Sequence, residues 1–434
     1  MRSKRDNMRI LVGVHEIAGW IPVWADGFRR LGHDVATAIN KRNLFYLDYH
    51  YDIDLNPKIY WPQGEVNERA FFMRVLNRLH GYYSLVRKAS VIPGRDLFFF
   101  MEARFSLLPE HRDYYFIKKL GKPLINVFVG DDVRDRNAYL QWHVEEREYL
   151  ERANFISPNP LAFTLTNLRM AELYSDLILS VPNQSPIQVR PYMHLFLPVD
   201  LAKFKFNVPG RDIPLVIHAP SDKGVKGTDI ILRALEQLQN EGVKFDLKLL
   251  HNVPHQQVVD ALEQADILVD ELYMGLHGTL TVEAMASGCA VATINDEFFE
   301  PIPPNRPICA INPVIIKEQL RKLLTDKEWR IKLAHEGRKY VEQYHDHVKV
   351  AQRILEIMEP GKVKKYDHYP EFFARSYQLP EGQVIPERVK RMTTRIVNKW
   401  GLPADVDVQD MVRRGLLSAD GLLDNDRIPR WNVN

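Results

Sequence analysis

The stretch from Ala265 to Ile294 constrains the fold more than any other. Ile267-Leu268-Val269 is a short apolar run beside acids and reads as a buried strand. A loop with Gly275 and Gly278 follows. Leu280, Glu283, Ala284 and Ala286 then fit a short helix, and Gly288 stands where a left-handed residue ends one. Cys289 to Ile294 is again apolar and β-prone. Strand, loop, helix and strand in so few residues form a crossover, which joins parallel strands and needs helices over the sheet. Its helix N-terminus lies at the carboxyl edge of the sheet, where anions bind. There the backbone N–H groups of Gly278, Thr279 and Leu280 suit a diphosphate. Glu283 repels such an anion, so it fits a neighbouring diol, since one carboxylate accepts from both hydroxyls of a ribose. The plainer reading is that Glu283 complements the helix dipole.

The whole chain sets the frame for that unit. At 434 residues it is too long for one core, so two domains are expected. A formal net charge of +2 points to no polyanion, and no nucleic-acid partner is expected. Cys289 and Cys309 are the two cysteines, which argues for a reducing compartment. No apolar run reaches the roughly 18–20 residues of a membrane span. The basic start, Met1 to Arg9, has no signal-peptide core behind it, since His15 and Glu16 interrupt the apolar run. The expected location is cytoplasmic.

Met8 to Val14 reads as a strand, Val23 to Leu31 as a helix closed by Gly32, and Asp34 to Thr37 as a second strand. The loop between carries Gly19, but not the G-x-G-x-x-G spacing of a nicotinamide site, and no P-loop occurs. Phe45 to Trp61 is aromatic and acidic and reads as an irregular surface segment. Glu68 to Lys88 is helical in pattern. Phe72, Val75, Leu76 and Leu79 form its apolar face, with Arg69, Arg74, Arg78, Arg87 and Lys88 around it. Such a helix suits either a protein core or peripheral contact with an anionic membrane. Asp96 to Met101 and Pro123 to Val129 read as buried strands flanking a helix near His111 to Leu120. The second runs into Gly130-Asp131-Asp132-Val133-Arg134. Adjacent acids at a strand end rarely ligate one ion, so no metal site is expected there. Asn207 to Gly210 is a Pro/Gly break of the kind that joins domains, and Ser221 to Asp229 is a glycine-flanked turn carrying Lys223 and Lys226.

G-x-x-x-x-E-A-M-A-S-G from Gly278 to Gly288, with Ala265-Asp266-Ile267 before it and an apolar strand after it, resembles the donor-binding segment of GT-B glycosyltransferases. The retaining family 4 is the closest likeness. It implies two Rossmann-like α/β domains facing across a cleft. Residues 1–207 would form the acceptor side, closed by the stretch Leu195 to Asp200, and residues 208–360 the donor side. The likeness covers about residues 8–358 and leaves 361–434 as a C-terminal extension of unknown role. By resemblance Gly19 faces the cleft, and Lys223 and Lys226 act on the departing diphosphate. Glu102, Asp131 and Asp132 stand at the sheet edge that faces the acceptor.

The chain departs from that pattern at three places. The usual Glu-x7-Glu pair has only its second member, Glu283; Gly275 replaces the first, with Glu271 and His277 nearby. Ser221 stands where an arginine is common. Phe100-Met101-Glu102-Ala103 holds none of the usual histidine. The resemblance implies transfer of a sugar from a nucleotide-sugar co-substrate to a glycan or lipid-linked acceptor hydroxyl, with retention and no further cofactor or metal. Its expected setting is glycan, polysaccharide or glycolipid synthesis. The departures keep two alternatives open, a non-catalytic nucleotide-sugar-binding subunit and a GT-B sugar-nucleotide epimerase.

Overall fold

The computed structural model describes residues 7–46, 49–55, 81–144, 147–153, 159–273, 275, 277–359, 361 and 365–432. The apolar face from Phe72 to Leu79 and the arginines Arg69, Arg74 and Arg78 lie outside these residues, as does the segment 56–61. Residues 81–90, with Arg87 and Lys88, are helical. No helix among the described residues is long and apolar enough to cross a membrane.

Two parallel sheets organise the chain. The first comprises β1 (Arg9–Val14), β2 (Asp34–Ile39), β3 (Ile53–Asp54), β4 (Leu97–Met101), β5 (Leu124–Val127), β6 (Leu177–Ser180) and β7 (Met193–His194), in the order β3-β2-β1-β4-β5-β6-β7. The second comprises β8 (Leu215–His218), β9 (Asp246–Leu249), β10 (Ile267–Val269), β11 (Ala290–Thr293) and β12 (Cys309–Ala310), in the order β12-β11-β10-β8-β9. Every pairing is parallel. The strand runs are apolar without alternation because helices cover both faces, as at β4, where all five residues are buried. Edge strands depart from this: all four residues of β9 are exposed, and both of β3 are half-buried.

In each sheet the strand order reverses once near the middle, between β1 and β4 and between β8 and β10. Ligands of open α/β sheets bind at such points, beyond the carboxyl ends of the strands. The two carboxyl edges meet. Trp20 Nε1 donates to Thr279 Oγ1 at 3.2 Å, and the Tyr46 and His255 rings lie 5.0 Å apart.

Three local features differ from the sequence reading. The first helix spans Trp20–Arg30, starting before Pro22 rather than after it. Proline is tolerated in a first turn, where its missing N–H has no intrahelical partner to lose. The basic turn is instead a one-turn helix, Lys223–Lys226, because Asp222 Oδ1 accepts from Gly224 N at 2.8 Å and Val225 N at 3.0 Å. Gly227, at φ 71°, turns it into the helix Thr228–Asn240. The helix expected from His111 begins at Arg112, after a kink with Glu110 and His111 at φ 58° and 56°.

The crossover read first is as expected. The helix Thr279–Ser287 ends at Gly288, φ 93°, where a side chain would also collide with the Asn207 carbonyl. The last helix of the second half, His347–Ile357, returns to the first domain, where His347 Nε2 meets Asp26 Oδ2 at 2.8 Å. The extension folds onto the first domain too. Its helix Glu387–Trp400 packs on Leu161–Tyr174, with Arg169 Nε donating to Thr393 Oγ1 at 2.9 Å, and Trp400 covers the Arg190 guanidinium at 3.9 Å. Phe373, Tyr377, Val389 and Ile396 complete the apolar layer there.

Candidate functional site

On the second domain a cavity of about 230 Å³ opens into the cleft. Lys226, Thr279, Leu280 and Glu283 line it together with His255 and Ser221, while Ala18 and Tyr46 enter from the first domain. Four of the residues read as donor-binding thus converge. Gly278 caps the helix above them with no side-chain cap of its own, and a Cβ there would lie 3.8 Å from Lys226 Nζ. Gly19, at φ 75°, belongs to the cleft wall: a Cβ on it would stand 3.0 Å from the Tyr46 ring. Two predicted residues stay apart. Lys223 is exposed and forms no ion pair among the described residues. His277 is buried, with Nδ1 2.8 Å from Glu300 Oε2 and its ring against His345, so it does not face the cavity.

The charges on this side are matched among themselves. Lys226 Nζ lies 2.8 Å from Asp270 Oδ1 and 2.7 Å from Glu271 Oε2, and Asp270 also accepts from Thr281 Oγ1 at 2.8 Å. Burial pulls the Lys226 ammonium down, but the two carboxylates outweigh it and hold the lysine well above its usual range. Burial, with Asp270 adding to it, raises the Glu271 carboxyl. Lys226 therefore already shares its charge with two carboxylates. Glu283 is likewise engaged: His255 Nε2 lies 2.9 Å and 3.1 Å from its two oxygens. Burial lowers the imidazole, and the hydrogen bond and charge of Glu283 more than reverse that, so His255 titrates above its ordinary value.

Gly275 has a structural reason to lack a side chain. Its φ is 69°, and a Cβ would sit 3.0 Å from Asn183 Nδ2. Asn183 in turn accepts from Arg134 Nη2 at 3.0 Å. Arg134, buried at the end of the Gly130–Arg134 run, brings a cation whose field lowers Glu271. Sequence reasoning passed over Arg134, Asp270 and His255. Asp270 had a signal, since an acid directly after a buried strand stands at the binding edge.

The first domain's edge is built differently. Glu102 follows β4 at φ 68°, fully buried, with Oε1 2.6 Å from Arg104 Nε. Its Oε2 lies 3.7 Å from His15 Nε2 and has no hydrogen-bond partner among the described residues. Burial and then Asp132 push the Glu102 carboxyl up to about 7 against the pull of Arg104. His15, stacked on Phe105 at 4.1 Å, is held down to about 4 by burial and then by Arg104 and Lys41. A neutral imidazole thus faces a carboxyl poised at neutrality, an arrangement suited to moving a proton. His15 escaped the sequence reading because it looked like a mere interruption after a strand.

Asp132 takes another part. It is fully buried and accepts from Ala103 N at 2.8 Å, Val129 N at 3.1 Å and Gly130 N at 2.8 Å. Its oxygens tie the loops after β4 and β5 together, which positions Glu102. Asp131 is exposed, 3.7 Å from Arg134.

No protein-family model matches the chain, and no curated protein matches it. Solved structures do. Sucrose-phosphate synthase from Thermosynechococcus elongatus superposes with a TM-score of 0.52 at 13% identity, over 81% of this chain and 98% of that one. HepE of Anabaena in complex with UDP-glucose gives 0.51 at 15% identity, over 81% and 99%. An α-glucosyltransferase in complex with UDP-glucose and DNA containing an abasic site gives 0.50 at 9% identity, over 82% and 100%. At these identities the likeness is one of architecture. Two parallel sheets with facing carboxyl edges, and a last helix that returns to the first domain, give this chain the GT-B fold of the glycosyltransferases it matches.

Proposed function

We propose that the protein is a glycosyltransferase that moves a sugar from a nucleotide-sugar donor, of the uridine-diphosphate class bound by HepE, to an acceptor hydroxyl with retention. The observation that carries this reading is the convergence of Lys226, the helix end at Gly278 and Glu283 in a cavity opposite the His15–Glu102 pair. The diphosphate would rest on the N–H groups of Thr279 and Leu280, and the ribose would share Glu283 with His255. As the bond from the anomeric carbon to the diphosphate oxygen breaks, the acceptor oxygen bonds that carbon on the same face. Preorganised N–H groups and Lys226 stabilise the charge that develops on the departing oxygen. His15 and Glu102 orient the acceptor hydroxyl and take up its proton.

The acceptor would be a glycan or lipid-linked sugar, met in the cytoplasm at the membrane face. The helical segment 81–90 supports that placement with exposed Tyr82, Tyr83 and Val86 beside Arg87 and Lys88. Calorimetry with nucleoside diphosphates and their sugars, followed by mass spectrometry of released diphosphate, tests the proposal. Uridine diphosphate is expected to bind and to be released from its sugar; if no nucleoside diphosphate binds, the reading is wrong. One observation favours a second reading. Lys226 is already matched by Asp270 and Glu271, which suits a subunit that holds a nucleotide sugar without cleaving it. Binding without release in the presence of acceptor extracts would select that reading.

A further inference from the structure

We propose that a second cavity, walled jointly by the first domain and the C-terminal extension, binds a phosphate-class anionic group carried by the acceptor. It has a volume of about 730 Å³ and lies beyond the carboxyl ends of β2 and β4. Four cationic side chains line it: Lys41, Lys88, Arg104 and, from the extension, Arg388. The acid on its wall is Glu110, which Arg112 holds at 3.3 Å. A chain with a formal net charge of +2 thus gathers four cations around one hollow. Like charges so placed repel each other, and an anion between them removes that cost.

Three further observations point to a ligand. Asn167 lines the cavity, is 7% exposed, and its Nδ2 donor has no hydrogen-bond partner among the described residues. A buried donor without an acceptor is costly, and an anionic oxygen would supply one. Arg388 stands in the first turn of the helix Glu387–Trp400, the end at which the helix dipole disfavours a cation. Arg104 uses Nε on Glu102 at 2.6 Å while its side chain lines the cavity.

The cavity is also continuous with the reacting pair. Arg104 touches Glu102, and Phe105, another of its lining residues, stacks on His15. An anion held here lies one side chain away from the acceptor hydroxyl's place. Its role as part of an acceptor rests on the glycosyltransferase reading; its capacity to bind an anion does not. The extension would then be part of the acceptor site, with Arg388 as a specificity residue.

The test uses the full chain and titrates inorganic pyrophosphate by calorimetry with uridine diphosphate present in excess. The wild type is expected to bind pyrophosphate, and Lys41→Glu/Arg388→Glu to bind it at least tenfold more weakly, with uridine diphosphate affinity unchanged. Arg388→Gln, which only removes the charge, serves if the double variant melts early. Two further arms separate the sources of phosphate. One uses soluble glycerol phosphate and the other vesicles of phosphatidic acid in neutral lipid; loss of binding to either in the variants supports the site and assigns its ligand. Pyrophosphate affinity equal in wild type and variants overturns the proposal. Loss of pyrophosphate binding in a protein that binds no nucleoside diphosphate would keep this site and refute the donor reading instead.

Discussion

The two edges of the cleft use one topological device for opposite ends. Each lies where the strand order reverses, and each gathers buried acids after its central strands. On the second domain's edge every such charge has a partner: Lys226 with Asp270 and Glu271, Glu283 with His255. On the first domain's edge Glu102 gives one oxygen to Arg104, but its Oε2 and His15 Nδ1 have no hydrogen-bond partner among the described residues, and burial moves both groups far from their ordinary pKa values. Fully matched charges hold a ligand in a fixed place; a carboxyl with one oxygen left over beside a neutral imidazole is ready to exchange a proton. Under the proposed function, binding falls to one sheet and proton transfer to the other.

The largest test of that contrast is Glu102→Gln. Turnover is expected to fall by about 10²–10⁴, while calorimetric affinity for uridine diphosphate stays unchanged. Wild-type turnover should rise as pH climbs through about 7, where Glu102 ionises, and the variant's should be flat there. The stability signs differ between the two groups. A carboxyl raised from 4.5 to about 7 contributes stability that is present below about 4.5 and lost as pH rises through about 7. His15, lowered from 6.5 to about 4, contributes stability present above 6.5 and lost as pH falls through about 4. Glu102→Gln removes the first dependence, so it should melt with the wild type near pH 4.5 and above it beyond pH 7. A donor affinity that falls along with turnover would erase the contrast.

Next in size is Lys226→Met, which leaves Asp270 and Glu271 buried without their cation. Breaking such a buried pair costs about 3–5 kcal/mol, read as a shift in the denaturant midpoint. Lys226→Met/Asp270→Asn/Glu271→Gln should recover most of it. A loss under about 1 kcal/mol, the range of a surface pair, would mean that the donor edge is not the rigid side.

Glu283→Gln is expected to weaken uridine diphosphate by roughly 10- to 100-fold, about 1.5–3 kcal/mol for a charge-assisted bond. An affinity left within twofold would reduce Glu283 to a partner for His255. The smallest effect is that of Gly275→Glu, which installs the carboxylate that the family 4 resemblance leads one to expect there. At φ 69° with Asn183 beside it, strain of about 1–2 kcal/mol is expected, with a lower melting temperature and no gain in turnover. A gain would show that Arg134 and Asn183 yield to the new side chain.

What the sequence made legible was local. β4 and β10 stand where their apolar runs place them, and Gly288 ends its helix in the left-handed conformation read for it. Parallel strands covered on both faces leave continuous signals of this kind, whereas β7 has two residues and leaves none. Contacts between distant segments were hidden. Lys226 and Asp270 meet across 44 positions and Glu283 and His255 across 28, and no periodicity encodes such pairs. In the helix Leu161–Tyr174 charge conceals burial, because Arg169 and Glu172 look like surface residues and are fully buried beneath the extension.

That burial has a consequence for how the protein is made. The helix Leu161–Tyr174 leaves the ribosome with Arg169 and Glu172 uncovered, and its partner Glu387–Trp400 follows about 200 residues later. At about 5–20 residues per second, the half-built layer waits roughly 10–40 s while the second domain emerges and closes on its own core. The middle of the polypeptide is thus finished before its beginning. A chain interrupted before Glu387 carries a complete second sheet beside a first domain with an open apolar face, a nascent form that a chaperone would recognise and a mature molecule would not show.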